Sequence, residues 1–379
     1  MEGIFKELRV LELANVLAGP SVGQFFAELG AEVIKIENPK SCGDVTRSWK
    51  LKNEENESSV SAYFSSANCG KKSIALDLSN QEDLSVFYEL VKISDVVIAS
   101  YKSGDAQKLK VDFESLKFLN PKIIYGQITG YGEHDKRVGY DAIIQAESGF
   151  MKMNGEPGGK SLKMPVALVD VLAAHQLKEA ILLAYINLLK NGVGSKVSIS
   201  LFESAVSALV NQATNYLVAK HIPTKMGTEH PNIAPYGTVL RTKNQKEIIL
   251  AVGTDKQFRN LCKVLGLGNI VHDQRFKSNS ERVQNREILN QYLLEKAENI
   301  LAEELIHQLN SANVPAGVLK SIDEVFETKE ASEMIFQEGE TPHGLRHFVG
   351  EIQFMEKISH LPPPPELDAN RAEILSLLR

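Results

Sequence analysis

Asp170 follows the apolar run Pro165-Val166-Ala167-Leu168-Val169 and precedes a long apolar-rich stretch, Val171 to Lys190, that reads as a helix ended by Asn191-Gly192. A carboxylate at that place has two readings. It can cap the helix, which is worth about 1 kcal/mol. It can also be a nucleophile, because a helix N-terminus favours its ionised form and a fixed backbone aims it. The residues alone leave both open. Basic side chains gather in three groups: Lys71 and Lys72; Lys102, Lys108 and Lys110; Lys136 and Arg137. Each group falls just after or between expected strands, the edge at which open α/β sheets meet ligands. A solvated basic surface is the alternative for any one of them. Cys42, Cys69 and Cys262 match no zinc spacing and read as reduced thiols in a cytoplasmic protein, with a catalytic cysteine as the other possibility. No His, Asp or Glu pair has the spacing of a metal site, so no metal is expected.

The elements that must position these residues alternate. Strand patterns cover Leu8 to Leu13, Ala31 to Ile36, Ser73 to Leu78, Asp95 to Ala99 and Ile123 to Thr129, with helical stretches between them. Ser79 with Glu82 reads as a capping box ahead of a helix through Val91, and Asp112 to Leu119 as a short helix. Lys196 to Ser200 is a short strand, and a helix from Leu201 to about Lys220 follows it. This βα alternation predicts a parallel, Rossmann-like sheet with helices on both faces. Beyond a Gly- and Pro-punctuated connector the pattern changes. Tyr236 to Leu240 and Glu247 to Val252 read as an antiparallel hairpin, and three helical segments run to about Asn313. These predict a large domain of residues 1–222 completed by 326–379, and a smaller α+β domain of residues 223–325. After the stiff run Pro362 to Pro365 comes a final helix, Ala369 to Leu378.

At 379 residues the chain is long for a single core, in keeping with two domains. The net charge of −6 does not favour nucleic acid or an anionic membrane as a partner, so any anion must be met by local clusters of Lys and Arg. The N-terminus lacks a basic segment followed by an apolar run, so no signal peptide is expected. The most apolar stretch, Ala180 to Leu189, is too short to span a bilayer. The first turn, Asn15-Val16-Leu17-Ala18-Gly19-Pro20, lacks the G-x-G-x-x-G that lets a backbone approach a pyrophosphate, which counts against an NAD or FAD oxidoreductase.

That turn is one of an ordered set: Leu29-Gly30-Ala31-Glu32-Val33-Ile34-Lys35-Ile36-Glu37, then Gly43-Asp44 and Arg47, Asn68 to Asp77, Gly130-Tyr131-Gly132, Gly139-Tyr140-Asp141, His230-Pro231, Pro235-Tyr236-Gly237, Asp273 to Phe276 and Val314-Pro315-Ala316. In this order, over nearly the whole chain, the set resembles the family III coenzyme A transferases and the related α-methylacyl-CoA racemases. The resemblance implies a large CoA-binding domain with the smaller one inserted, two subunits interlocked as a homodimer, and CoA lying on the large domain. It implies that Asp170 is the nucleophile in an acyl-CoA:carboxylate CoA transfer through an aspartyl anhydride and an aspartyl-CoA thioester.

CoA is then a substrate, with an acyl-CoA donor and a carboxylic acid acceptor as partners. Its roughly 3–4 negative charges need cationic partners. The resemblance points to Lys72 and Lys108 for these, with Lys71 and Arg137 as further candidates. Asn15, Val16, Leu17, Ser100 and Tyr101 match positions that line the nucleotide and pantetheine. This chain departs from many relatives at Asn38 and Lys108, where they carry Arg, and is bulkier after the nucleophile, at Val171-Leu172. Relatives that racemise carry a His where this chain has Tyr140. An imidazole takes a proton near neutral pH and a phenol is a poor base there, so the resemblance favours transfer over racemisation, with Tyr140 and Asp141 orienting a carboxylate or anhydride. A racemase, and a non-catalytic acyl-CoA-binding protein in which Asp170 only caps, are the rival readings.

Overall fold

The structure is a computed structural model that describes residues 3–54, 58–355, 358 and 360–379. The N-terminal stretch read above for a leader begins with residues 1 and 2, which lie outside the described ones. Each short apolar run of the first 200 residues becomes a strand: β1 (Arg9–Leu13), β2 (Glu32–Glu37), β3 (Lys72–Ala75), β4 (Val96–Ala99), β5 (Ile124–Thr129) and β6 (Ser195–Ser200). They form a six-stranded parallel sheet in the order β3-β2-β1-β4-β5-β6. The chain therefore builds outward from β1 in one direction and from β4 in the other. A crevice opens between the C-terminal ends of these two strands, where open α/β sheets take their ligands.

Both faces of the sheet are covered, which is why its strands read as continuous apolar runs. Val10, Val33, Ile98 and Ile124 pack on one face with residues of the helices Ala18–Glu28 and Leu168–Asn191. Leu11, Ile34, Ile74 and Val97 pack on the other with residues of Gln81–Lys92 and Arg371–Ser376. Removing one such side chain from water contributes about 1.5–3 kcal/mol. The helix Gln81–Lys92 starts one residue later than its expected cap. Asn80, not Ser79, accepts the Glu82 amide at 2.7 Å, while the Ser79 hydroxyl is taken by Asp77 at 2.6 Å. The helix expected from Leu201 to Lys220 is two, Leu201–Ser207 and Val210–Ala219, with Val210 at a positive φ of 37° at the break.

The chain divides into two compact units. The first holds Met1–Phe150, Lys163–Ala219 and Lys329–Arg379, and includes the large sheet. The second holds Met151–Leu162 and Lys220–Thr328; the short piece Met151–Leu162 carries no signal in the sequence that assigns it there. In the second unit β7 (Tyr236–Arg241), β8 (Glu247–Ala251) and β9 (Ala316–Val318) form an antiparallel sheet. Its apolar face packs with residues of the helices Asp255–Val264, Arg286–Ala297 and Ala302–Ser311. Buried Arg282 ties that unit together, donating to the carbonyls of Ala234 (2.9 Å) and Phe276 (3.1 Å) and to Asp255 (2.7 Å). Back in the first unit, the hairpin β10 (Ile335–Glu338) and β11 (Thr341–Leu345) packs over Cys69 and carries the chain to Arg346 and His347.

The first three strands share a buried ionic cluster. Glu12, Lys35, Asp44 and Lys71 are each at most 4 % exposed. The Lys35 ammonium meets Glu12 at 2.8 Å, Asp44 at 3.0 Å and the Ala14 carbonyl at 2.8 Å. The Lys71 ammonium meets the other Glu12 oxygen at 2.7 Å, the Pro20 carbonyl at 2.8 Å and Asn68 at 2.9 Å. Two carboxylates face two ammoniums, and each ammonium has three acceptors, the condition under which buried ions are tolerated. Burial alone would pull the Lys35 pKa down; the charges of Glu12, Asp44 and Glu37 outweigh it and hold the value above the ordinary one. Glu12→Gln would leave two buried ammoniums on one carboxylate. We expect a loss of about 3–5 kcal/mol in unfolding free energy, read from urea titration followed by circular dichroism. A loss under about 1 kcal/mol would show that the cluster relaxes instead of holding the strands.

Candidate active site

The crevice is built on the ionic cluster. After β1 the backbone at Val16 takes a positive φ of 71°, rare for a β-branched residue and costing about 1–3 kcal/mol. What holds it there is its amide, which donates to both oxygens of Asp44 at 3.2 and 3.3 Å. Asp44 is held in turn by Lys35 and by the Thr46 hydroxyl at 2.8 Å. Across the β1/β4 switch point the Asn15 amide donates to the Ser100 hydroxyl at 3.4 Å.

A cleft of about 350 Å³ lies over this edge, walled by Asn15–Gly19, Ser100–Ser103, the end of β5, Asp135 and residues 137–141. Gly130 and Gly139 close that last loop by direct backbone contact: a Cβ on Gly139 would lie 2.4 Å from the Gly130 Cα. Arg137, inside the loop, lies on the Tyr131 ring at 3.7 Å and pairs with Asp135 at 2.8 Å.

Of the expected site residues, Asn15, Val16, Leu17, Ser100, Tyr101, Arg137, Tyr140, Asp141 and Asp170 all line this cleft. Three lysines do not. Lys71 is sealed in the ionic cluster and its three hydrogen bonds leave no proton for a phosphate. Lys72 is the first residue of β3, one place earlier than the expected strand, so it sits at the N-terminal edge of the parallel sheet. There it pairs with Glu32 at 2.6 Å and Glu373 at 2.7 Å. Lys108 is exposed and pairs with Asp105 at 2.9 Å, outside the cleft wall. The lysine on the wall is Lys102.

Asp170 is not the cap of the long helix. It is the third residue of Leu168–Asn191, and the residue before the helix, Ala167, contributes no side-chain cap. Asp141 does that work from another helix. Its carboxylate accepts the Val169 amide at 2.9 Å and the Gln145 side-chain amide at 2.8 Å, and Gln145 in turn accepts the Met164 amide at 2.8 Å. The Asp170 carboxylate is thereby left free: among the described residues it accepts no hydrogen bond, although Asp170 is only 8 % exposed. Burial, then the charge of Asp141, push its pKa up to about 7. Burial first, and then the Asp170 and Asp141 charges, also push the Tyr63 phenol upward.

Asp170 lines a second hollow as well, of about 750 Å³, which shares Val16, Leu17, Tyr140 and Asp141 with the cleft. Its other walls include Trp49 and Tyr63, whose rings meet edge to face at 5.0 Å, and His175, Lys178 and His347. Sequence reasoning missed these five. His175 and Lys178 were legible, since they lie five and eight positions beyond Asp170 on a helix already expected. Trp49 arrives on a loop, Tyr63 on the short helix Ala62–Ser65 and His347 on the C-terminal tail, and they carry no such signal. Burial, and then the neighbouring charge of Lys178, push His347 down to about 4, so it is a poor base. No group of three His, Cys, Asp or Glu residues suited to a metal exists among the described residues.

A crystal structure of a CAIB/BAIF family protein from Brucella suis superposes with a TM-score of 0.87 at 36 % identity, covering all of both chains. The succinate–glutarate CoA-transferase of Agrobacterium fabrum is 36 % identical over 98 % of this chain and 94 % of its own length. The human succinyl-CoA:glutarate CoA-transferase is 32 % identical over 99 % of this chain and 85 % of its own. The chain belongs to CoA-transferase family III, whose profile matches residues 5–371. It is an enzyme of that family.

The raised pKa of Asp170 has a cost in stability. The unfolded chain ionises this group near its ordinary value of about 4, and the folded protein near 7. Between those values the folded state keeps a proton that the unfolded state has lost, so stability falls as pH rises, by roughly 4 kcal/mol in all. Asp170→Asn removes the term. We expect the variant to be more stable than the parent by up to roughly 4 kcal/mol at pH 8, with the gain vanishing toward pH 4. Chemical denaturation at both pH values measures it, and an equal gain at the two would show that charge burial is not the cause.

Proposed function

We propose that the protein moves CoA from an acyl-CoA to a free carboxylic acid with Asp170 as the nucleophile. One observation carries this: a buried carboxylate, free of hydrogen bonds, stands where a cleft at the sheet's switch point meets a second hollow. CoA fits the first, with its phosphates toward Lys102 and Arg137, and the acyl group or acceptor acid fits the second. The names of the two curated relatives, built on succinate or succinyl-CoA and glutarate, favour short diacids.

In the first step a carboxylate oxygen of Asp170 attacks the thioester carbonyl. The C–S bond breaks, CoA leaves as thiolate, and an acyl-aspartyl anhydride remains. The thiolate then attacks the aspartyl carbonyl, releasing the donor acid and leaving an aspartyl-CoA thioester. The acceptor carboxylate attacks that carbonyl, expels CoA thiolate again and forms a second anhydride. Attack of the thiolate on the acceptor's acyl carbon completes acceptor acyl-CoA and restores the Asp170 carboxylate. No net proton is consumed. Tyr140, on the rim of both hollows, is placed to hydrogen-bond the carboxylate or anhydride, and Asp141 fixes the helix that bears the nucleophile. The three free thiols suit a reducing, cytoplasmic setting. Among the described residues no helix is long and apolar enough to cross a membrane.

Asp170→Ala should abolish CoA exchange, followed by mass spectrometry with a panel of acyl-CoAs and acids, while CoA binding and the folded state persist. In the parent enzyme an aspartyl-CoA adduct should be trapped at Asp170. Its kcat/KM should fall tenfold per unit as pH drops below about 7, because only the ionised carboxylate attacks. Near-normal turnover by Asp170→Ala would overturn the proposal.

We also propose a homodimer. The long helix leaves Leu183, Ile186 and Leu189 exposed, and the helix Val210–Ala219 leaves Leu217 and Val218 so. A second copy of the chain would cover these exposed apolar side chains. Sedimentation at nanomolar concentration should show a dimer, and a monomer there would refute it.

A further inference from the structure

The hollow behind Asp170 holds an unmatched cation. Lys178 is 8 % exposed and lines the hollow's wall. Among the described residues its ammonium makes no hydrogen bond and no ion pair, and its nearest ring is the face of Phe25 at 5.4 Å. The nearby carboxylate of Glu28 is spent elsewhere. It accepts the His347 and Phe348 amides at 2.8 and 2.7 Å and the Gln24 side-chain amide at 3.0 Å. A buried lysine without a bonded anion is costly: burial pulls its pKa down, and the charge of Glu28 opposes this only in part. The other two buried lysines among the described residues, Lys35 and Lys71, each pair with a carboxylate.

Lys178 also stands at a defined place relative to the nucleophile. Both residues belong to the helix Leu168–Asn191, eight positions apart, which is roughly 12 Å between their Cα atoms. Ala174 lies between them on the same wall. Helical side chains lean toward the N-terminus, so the flexible lysine stem brings its ammonium back toward the turn that bears Asp170. A short aliphatic chain would bridge from the Asp170 carboxylate to the Lys178 ammonium along the apolar wall of Ala174.

We propose that Lys178 is the specificity-determining residue of a distal-carboxylate subsite. A diacid would present one carboxyl to Asp170 and pair the other, ionised, with this ammonium. A monoacid of equal length would leave the ammonium buried and unpaired. The inference rests on the transferase reading and adds to it which end of the substrate is recognised and by what. Ser21, buried on the same wall, is placed as a second donor to the distal carboxylate.

The test compares glutarate with pentanoate as acceptors from one donor, succinyl-CoA, so that any effect on the donor half cancels in the ratio. The parent enzyme should favour glutarate in kcat/KM by at least about 30-fold, the worth of one charge-assisted contact. Lys178→Met should cut that ratio by about 30-fold or more, and Lys178→Arg should keep it within about tenfold of the parent. A parent enzyme without preference for glutarate overturns the inference without any variant. So does a ratio that Lys178→Met leaves unchanged in a protein that melts and binds CoA as the parent does. Trapping of the Asp170–CoA adduct separates the two levels. If the adduct forms and the ratio does not move, the transferase reading stands and this subsite falls. If no acyl-CoA yields the adduct, both fall together.

Discussion

Everything at the crevice depends on the neutral ionic cluster of Glu12, Lys35, Asp44 and Lys71. It joins the first strand to the second and to the segment entering the third, and its link to the crevice is the pair of Asp44 oxygens that grip the Val16 amide. Without that grip a β-branched residue would leave the left-handed region, and the loop that floors the cleft would lose its shape. Glu37 and Arg47, paired at 2.7 Å just outside the cluster, extend the same logic: Glu37 also accepts the Asp44 amide at 2.9 Å. The fold thus places four buried ions under a binding loop, and the energetic gain of the cluster is conformational definition more than net stability.

At the other wall two aspartates divide their labour. Asp141 takes the Val169 amide at the helix N-terminus and the Gln145 side-chain amide, and Asp170, the residue after Val169, takes none among the described residues. A carboxylate that accepts such bonds has its lone pairs engaged; the bare buried one rises to about 7 and keeps its lone pairs for an incoming carbonyl. The helix is stabilised by a residue outside it, so its own third residue is available for chemistry. This arrangement separates stability from reactivity in space, at the expense of a buried charge whenever Asp170 is ionised.

The sheet and its order of elements were legible because burial on both faces writes continuous apolar runs, and because glycines and prolines punctuate them. Asp170 was legible as a place but not as a role, since a cap and a free carboxylate have the same sequence signature. The basic residues were the least legible. Lys71 and Lys72 are neighbours in sequence, yet one is sealed in the core and the other is salt-bridged at the far edge of the sheet. A one-residue shift in where a strand begins decides that outcome, and charge alone does not report it. Lys178 was legible as a position, eight residues beyond Asp170 on the expected helix, but the apolar stretch around it gives no sign that its ammonium, among the described residues, forms no ion pair.

The contact between Gly130 and Gly139 has a consequence for divergence. Neither position admits a side chain, so the two ends of the intervening loop are pinned to each other whatever the eight residues between them become. Three of those residues, Asp135, Arg137 and Val138, line the cleft, whereas Tyr140 and Asp141 follow immediately after the pin. Mutations between the glycines can therefore retune what the cleft holds without shifting the carboxylate that secures the helix of Asp170. A lineage can explore new ligands on one side of this clasp while the pairing of Asp141 with the long helix on the other side is inherited intact.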